Sequence, residues 1–81
     1  MKHLYEVIIS YGVLIVVAES LDEVSYIIKN SEWYKSDFEC IIPPKGVDKQ
    51  TYIDECILKY TEEIAGYEVK GESKIIAYYQ E

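Results

Sequence analysis

The chain has 81 residues and carries 15 acidic side chains against eight lysines, with no arginine and a formal net charge of −7. Proteins that bind nucleic acid use lysine and arginine to neutralise phosphates, so this composition argues against direct binding of DNA or RNA and favours a basic protein surface as partner. A chain this short predicts one domain over residues 1–81, with little room for a large internal cavity.

The N-terminal part of the chain predicts a β-hairpin. Between Leu4 and Ile9 the odd-numbered residues are all apolar, which is the period-two pattern of a half-buried strand. Tyr11 and Gly12 break this run, and a glycine with positive φ permits a tight turn. We therefore expect residues 13–19 to return antiparallel as a second strand that is apolar on both faces.

A helix is predicted next. Ser20 and Glu23 form a capping-box pattern, in which a hydroxyl and a carboxylate three residues apart satisfy backbone N–H groups at a helix start. Apolar residues then recur at helical spacing up to about Asn30, and polar residues occupy the opposite face. The predicted core residues of this helix are Leu21, Val24, Ile27 and Ile28.

The segment after this helix predicts a loop and then a third strand. Residues 31–37 are mainly polar, and Trp33 and Tyr34 within them either cap the core or contact a partner. Residues 38–42 are apolar enough for a strand. Pro43 and its neighbour end that strand, because proline donates no ladder hydrogen bond.

A second helix is predicted from Asp48 to Ala65. Asp48 is a good N-cap residue, and Gly66 is a natural stop. The apolar stripe of this helix faces the core, while the opposite face carries charged residues around one apolar side chain, Leu58. An apolar residue among carboxylates is a mild signal of an interaction surface.

The C-terminal part of the chain predicts a second hairpin. Residues 67–70 and 74–79 alternate well enough for two strands, with residues 71–73 as the loop between them. The predicted order is therefore β-β-α-β-α-β-β. Such strands beside two amphipathic helices predict an α+β fold, a two-layer sandwich in which both helices cover one face of a mainly antiparallel sheet.

The sheet face that the helices leave uncovered is predicted to be apolar. Leu4 and Ile8 add apolar surface to it, and the second strand is apolar on both faces. Either the sheet curls over its own tyrosines, or a second copy of the chain covers it. The predicted interface residues of such a homodimer are Leu4, Ile8 and Val16.

Residues suited to catalysis or metal binding are few. His3 is the single histidine, and fifteen residues separate Cys40 from Cys56, a spacing that fits neither a zinc knuckle nor a redox motif. Both cysteines are expected to be buried free thiols, with a disulfide as the alternative. We therefore expect no catalytic residue, no metal and no cofactor, and an enzyme is the least favoured hypothesis.

The N-terminal apolar run predicts neither a signal peptide nor a membrane span. Glu6, Ser10 and Gly12 interrupt it, and the longest uninterrupted stretch, Val13–Ala18, is far shorter than a membrane span requires. The expected location is the cytoplasm.

The favoured function is that of a small acidic module that binds another protein. Carboxylates on a rigid scaffold can occupy a basic surface built for phosphates, so the sharpest form of this hypothesis is an inhibitor that acts as a DNA mimic. In size and charge the chain resembles phage-encoded anti-restriction and anti-CRISPR proteins, a resemblance that involves no shared motif. The alternative is a homodimeric structural or regulatory protein that uses its apolar sheet face. The candidate partner-binding residues are Asp22, Tyr26, Asp54, Glu55, Leu58 and Glu62.

Overall fold

A β-hairpin forms the centre of the sheet, as the sequence predicts. In the computed structural model, which describes residues 1–80, β1 spans His3–Ile9 and β2 spans Gly12–Ala18. The two strands pair antiparallel in an unbroken register. The positive φ expected at Gly12 is absent, so this glycine has another role in the fold.

Helix α1, Leu21–Lys29, begins at the predicted N-cap residue, Ser20. The Ser20 hydroxyl oxygen accepts a hydrogen bond from the Glu23 N–H at 3.2 Å, and the Glu23 carboxylate accepts one from the Glu19 N–H at 3.0 Å. Leu21 lies in the first turn and is 45% exposed, so its predicted place in the core is wrong. The buried residues of α1 are Val24, Ser25 and Ile28.

Residues 38–42 do not form the predicted third strand: a π-helix, Tyr34–Phe38, ends at the first of them, and a turn follows. A hydrogen bond of 2.7 Å to the Tyr34 carbonyl oxygen from the N–H five residues later closes its widened turn. Tyr34, Phe38 and Ile41 pack in or against the core, whereas Ile42 is 88% exposed. The strand prediction is wrong because the apolar residues of this segment that reach the core recur every three to four positions, and not every second one.

Helix α2, Lys49–Lys59, is capped by Asp48 as predicted but ends earlier than predicted. The Asp48 carboxylate accepts a hydrogen bond from the Thr51 N–H at 3.0 Å. After the helix, Thr61–Glu63 form strand β3, which pairs antiparallel with β1. The prediction of a helix up to Ala65 is wrong because the free edge of β1 takes these residues as a strand.

Strand β4, Lys74–Gln80, pairs antiparallel with β2, so the strand order of the sheet is β3-β1-β2-β4. Residues 67–70 do not form the predicted strand and contribute an isolated bridge at Val69. The predicted terminal hairpin is therefore wrong, because β4 joins the free edge of β2 instead. Tyr78 of β4 lies against Trp33 with ring centroids 5.7 Å apart, and Trp33 packs against the core.

The two α-helices cover one face of the antiparallel sheet, which confirms the predicted α+β fold class. The element order is β-β-α-π-α-β-β. No helix among the described residues is long and apolar enough to cross a membrane. The core consists of Tyr5, Val7, Ile9, Leu14, Val16, Ala18, Val24, Ile28, Phe38, Ile53 and Ile57.

The Asp48 cap makes part of the stability depend on pH. Hydrogen bonds from the N–H and the hydroxyl of Thr51 hold the pKa of the Asp48 carboxyl below its usual value. Because the folded-state pKa is the lower one, the contribution of the cap is complete above the unfolded-state pKa of about 4. It is lost as the pH falls through the folded-state pKa. We therefore expect the urea concentration at the unfolding midpoint to decrease as the pH is lowered from about 5 to about 3.

The variant Asp48→Asn isolates this effect. Asparagine caps helices about as well as aspartate and does not titrate, so the variant should lose less stability over the same pH interval than wild type. Glu55→Gln, which removes an exposed carboxylate from the body of α2, should keep the wild-type pH dependence. Equal losses in wild type and Asp48→Asn would show that the Asp48 carboxylate does not contribute.

Candidate functional site

The predicted partner-binding residues on the helices do not form a uniformly acidic surface. Asp22 and Tyr26 are exposed on α1, Tyr26 to 67%. Asp54 of α2 forms an ion pair with Lys29 of α1 at 2.9 Å and accepts a hydrogen bond from the Ser25 hydroxyl at 3.3 Å. This carboxylate therefore joins the two helices, and a lysine of the same chain compensates its charge.

The other predicted partner-binding residues differ in element and in exposure. Glu55 is exposed on α2, whereas Leu58 is half-buried and is not the exposed apolar residue that the sequence predicts. Glu62 lies on β3, opposite Glu6 of β1, so its predicted place on the face of the second helix is wrong. The cause is the early end of α2. The six residues therefore do not make one contact surface.

Two of the three predicted dimer residues lie on the uncovered face of the sheet. Leu4 is half-buried there, and Ile8 is 50% exposed. Val16 is 0% exposed beneath the helices, so its predicted place on the uncovered face is wrong. The hairpin register pairs Val16 with Tyr5, which belongs to the core, and residues directly opposite in a sheet share a face.

The uncovered face of the sheet, which we call the open face, is mainly apolar. Ile8 of β1 and Tyr79 of β4 are its most exposed apolar residues, at 50% and 62%. Contiguous apolar surface of this kind on a small protein is typical of an interaction site. The strand pairings assign to the open face the apolar residues Leu4, Ile8, Val13, Ile15, Ala77 and Tyr79, whereas Val17, on the same side of the sheet, is buried at 3% exposure.

An acidic pair borders this apolar surface. Glu6 of β1 and Glu62 of β3 lie directly opposite each other in register on the open face. Within residues 1–80 the ion pairs are His3 with Glu63 and Lys29 with Asp54. Neither Glu6 nor Glu62 therefore has an ion-pair partner among the described residues. Like charges that face each other on neighbouring strands repel. A cation supplied from outside the chain would relieve that repulsion.

A cleft of about 430 Å³ opens between the end of β1, the π-helix and α2. Its floor is apolar, with Ile9 and Phe38 only 9% and 4% exposed. Ile8 belongs both to the cleft and to the open face, so the two features adjoin. The cleft is lined by Ile8, Ile9, Ser10, Asp37, Phe38, Ile41, Tyr52, Cys56 and Tyr60.

Among the described residues that line the cleft, Asp37 alone carries a formal charge. Its Oδ1 accepts a hydrogen bond from the Ser10 N–H at 3.1 Å, and its Oδ2 accepts one from the Ser36 hydroxyl at 3.0 Å. These bonds orient the carboxylate and tie the π-helix to the turn between β1 and β2. Asp37 is not among the residues predicted from the sequence, because it lies in a predicted polar loop and no local spacing distinguishes it.

Metal-ligating residue types are scattered over the described chain. Residues 1–80 contain no group of three or more His, Cys, Asp or Glu side chains placed to hold a metal ion. Cys56 lines the cleft, whereas Cys40 is exposed, so the predicted burial of Cys40 is wrong. His3 contacts Glu63 at 3.6 Å and does not line the cleft.

No protein-family model, no curated protein and no solved structure matches this chain.

Proposed function

We propose that this chain is a small acidic protein-binding module whose open face docks on a basic, partly apolar surface of another protein. The observation that supports the proposal is the presence, on one face, of exposed apolar residues and an acidic cross-strand pair. Ile8 and Tyr79 are at least half exposed, and Glu6 and Glu62 lie opposite each other on the same face. Burial of the apolar groups would supply affinity, and the carboxylates would select a partner that carries lysine or arginine.

Both the apolar and the acidic residues of the open face would contribute to the free energy of binding such a partner. Burial of the exposed half of Ile8 or Tyr79 would contribute about 1 kcal/mol for each side chain. A lysine or arginine placed between Glu6 and Glu62 would replace one repulsive contact with two charge-assisted hydrogen bonds. The net charge of −7 would also speed encounter with a basic surface at low salt.

The finer proposal is inhibition. A basic surface of a nucleic-acid-handling protein would be occupied by these carboxylates and so be closed to DNA or RNA. The acidic balance without arginine supports this proposal, as does the lack of an ion pair at Glu6 and Glu62 within residues 1–80. The ion pair at Asp54 makes the open face a better contact surface than the helix face, because the charge of Asp54 is already compensated.

The alternative proposal is a homodimer in which a second copy covers the open face. The exposure of Ile8 and Tyr79 favours it. Face-to-face stacking would, however, bring Glu6 and Glu62 of each copy, four carboxylates in all, into the interface. Each copy would supply only one strand lysine, Lys74, to offset them. Burial of excess like charge is costly, so a basic partner is the better occupant.

A variant that neutralises the acidic pair, Glu6→Gln/Glu62→Gln, tests the proposal. Its matched control is Asp22→Asn/Glu55→Gln, which removes two negative charges from the helix face and leaves the same net charge. Each protein is immobilised on a resin and incubated with a lysate of the source cells at about 0.05 M salt. Captured proteins are then eluted at about 0.3 M salt and identified. We expect the wild type and the control to capture the same basic protein, and the open-face variant to capture about tenfold less.

Equal capture by the open-face variant, or a loss confined to the helix-face control, would contradict the open-face proposal. The inhibitor form has its own measurement, in which wild-type protein is added to the captured protein bound to labelled duplex DNA. Failure to displace the DNA would contradict inhibition while leaving protein binding in place. A dimer in sedimentation at about 100 μM that persists at high salt would favour the homodimer.

A further inference from the structure

We propose that the cleft between β1, the π-helix and α2 binds a small organic cation that carries an apolar body. Its volume of about 430 Å³ lies within the range of small-molecule sites. Its lining combines apolar side chains with a few polar groups, which is the usual composition of such sites. This binding does not depend on the protein partner of the open face.

The apolar part of the ligand would occupy the floor of the cleft. Ile9 and Phe38 form that floor, and Ile41 adds a half-buried wall. Water in contact with these apolar side chains forms no hydrogen bonds to them. Its displacement by an apolar group therefore favours binding. An aromatic ring or a short alkyl chain meets this requirement, whereas a sugar or a phosphate does not.

Asp37 sets the charge of the ligand. No other residue of the lining carries a formal charge, and Asp37 has no ion-pair partner in the part of the chain that the structure describes. A carboxylate has about four acceptor positions, and the Ser10 N–H and the Ser36 hydroxyl take two of them. The remaining positions suit the N–H donors of an ammonium or guanidinium group, and an anion would be repelled.

Two tyrosines add aromatic surface to the cleft. Tyr52 lies on α2, and Tyr60 follows the helix directly. The Lys59 ammonium group lies 5.8 Å from the centroid of the Tyr60 ring, so that ring already contacts a cation. The ring of Tyr52 therefore remains for the ligand, and the face of an aromatic ring attracts cations.

The π-helix explains how Asp37 comes to be held in the cleft. A π-helical turn contains one residue more than an α-helical turn, and such turns are frequent at functional sites. Here the element brings Asp37 to the Ser10 N–H while Phe38 remains in the core. The carboxylate is thus oriented before any ligand arrives, which lowers the cost of binding.

Three indole compounds that differ in charge test this proposal. Tryptamine is a cation, tryptophol is neutral and indole-3-propionate is an anion, while all three carry the same ring. Each is titrated into ¹⁵N-labelled wild-type protein and followed by amide chemical shifts. We expect shifts at Ser10, Asp37 and Tyr60, with tryptamine bound about tenfold more tightly than tryptophol and no binding of the anion.

The variant Asp37→Asn removes the charge and keeps an acceptor for the Ser10 N–H. Glu39→Gln is its matched control, because Glu39 is an exposed carboxylate just beyond the π-helix and does not line the cleft. We expect Asp37→Asn to bind tryptamine about tenfold more weakly than wild type and tryptophol equally well. Glu39→Gln should bind both compounds as wild type does.

Three outcomes would overturn the proposal. The first is equal binding of the three compounds by wild type, and the second is a set of tryptamine-induced shifts that lies away from the cleft. The third is wild-type affinity for tryptamine in Asp37→Asn. The comparison of the three compounds on wild type decides the matter even where the variant does not fold.

Discussion

Val16→Asp is expected to abolish folding at neutral pH. Val16 is 0% exposed on β2 and belongs to the core beneath α1 and α2. A carboxylate at this position would lose its water without gaining a partner, at a cost of several kcal/mol. The whole domain has only about 4–12 kcal/mol of stability to lose, from the usual stability per residue. Far-UV circular dichroism and amide NMR dispersion should report an unfolded chain.

Ile8→Asp is the matched control for this prediction. It makes a comparable change on the same hairpin, but Ile8 is 50% exposed on the open face. We expect this variant to fold, with a free energy of unfolding within about 1 kcal/mol of wild type. If Val16→Asp proved as stable as Ile8→Asp, the assignment of the two sheet faces would be wrong. Ile8→Asp is also the variant that tests a homodimer without unfolding the monomer.

The hairpin and α1 could be predicted because their signals are local. The strand alternation of Leu4–Ile9 needs only neighbouring residues, and the capping contacts between Ser20 and Glu23 span three positions. Such short-range features act before any tertiary contact forms. The open face followed in part from the same alternation, since Leu4 and Ile8 lie where the pattern placed them.

Val16 was misplaced because β2 is apolar on both faces. No alternation of polar and apolar residues in Val13–Ala18 tells which side faces the helices. The choice is made by the register with β1, in which Val16 is opposite Tyr5. Register is a property of two strands together, so the composition of β2 alone could not reveal it.

The segment 38–42 and the end of α2 depended on contacts far along the chain. Residues 38–42 are apolar enough for a strand, but β3 and β4 occupy the two outer edges of the central hairpin. Thr61–Glu63 continue a helical pattern in the sequence, yet they pair with β1 instead. At the end of α2 this long-range pairing outweighs the local preference. Glu62 consequently lies on the open face rather than on a helix.

The cleft could not be predicted from the sequence, because separate segments build it. Ile8–Ser10, the π-helix and α2 with Tyr60 meet only after the sheet and the helices have packed. No spacing within one segment connects them. The π-helix is itself irregular, and the periodicity of ordinary helices and strands does not identify it.

Gly12→Ala is expected to lower the free energy of unfolding by about 2–3 kcal/mol. A Cβ atom at Gly12 would overlap the Tyr79 carbonyl oxygen and lie 2.9 Å from Cε1 of Tyr78. The nearest atom is backbone, so no side-chain rotation relieves the overlap and β4 must move away from β2. Trp33 is the single tryptophan and lies against Tyr78, so its fluorescence should report the displacement.

Gly66→Ala separates this lack of space from backbone strain. Gly66 has a φ of +87°, and a Cβ atom there would meet no described atom within 4 Å beyond its chain neighbours. Alanine at this position should therefore cost only about 1–2 kcal/mol, from the left-handed conformation. Urea unfolding should show the greater loss in Gly12→Ala, and the emission of Trp33 should change in that variant alone.

Tyr78→Ala should not restore the stability of Gly12→Ala, because the contact with the β4 backbone remains. A loss in Gly12→Ala no greater than in Gly66→Ala would mean that β2 and β4 do not approach as closely as their register requires.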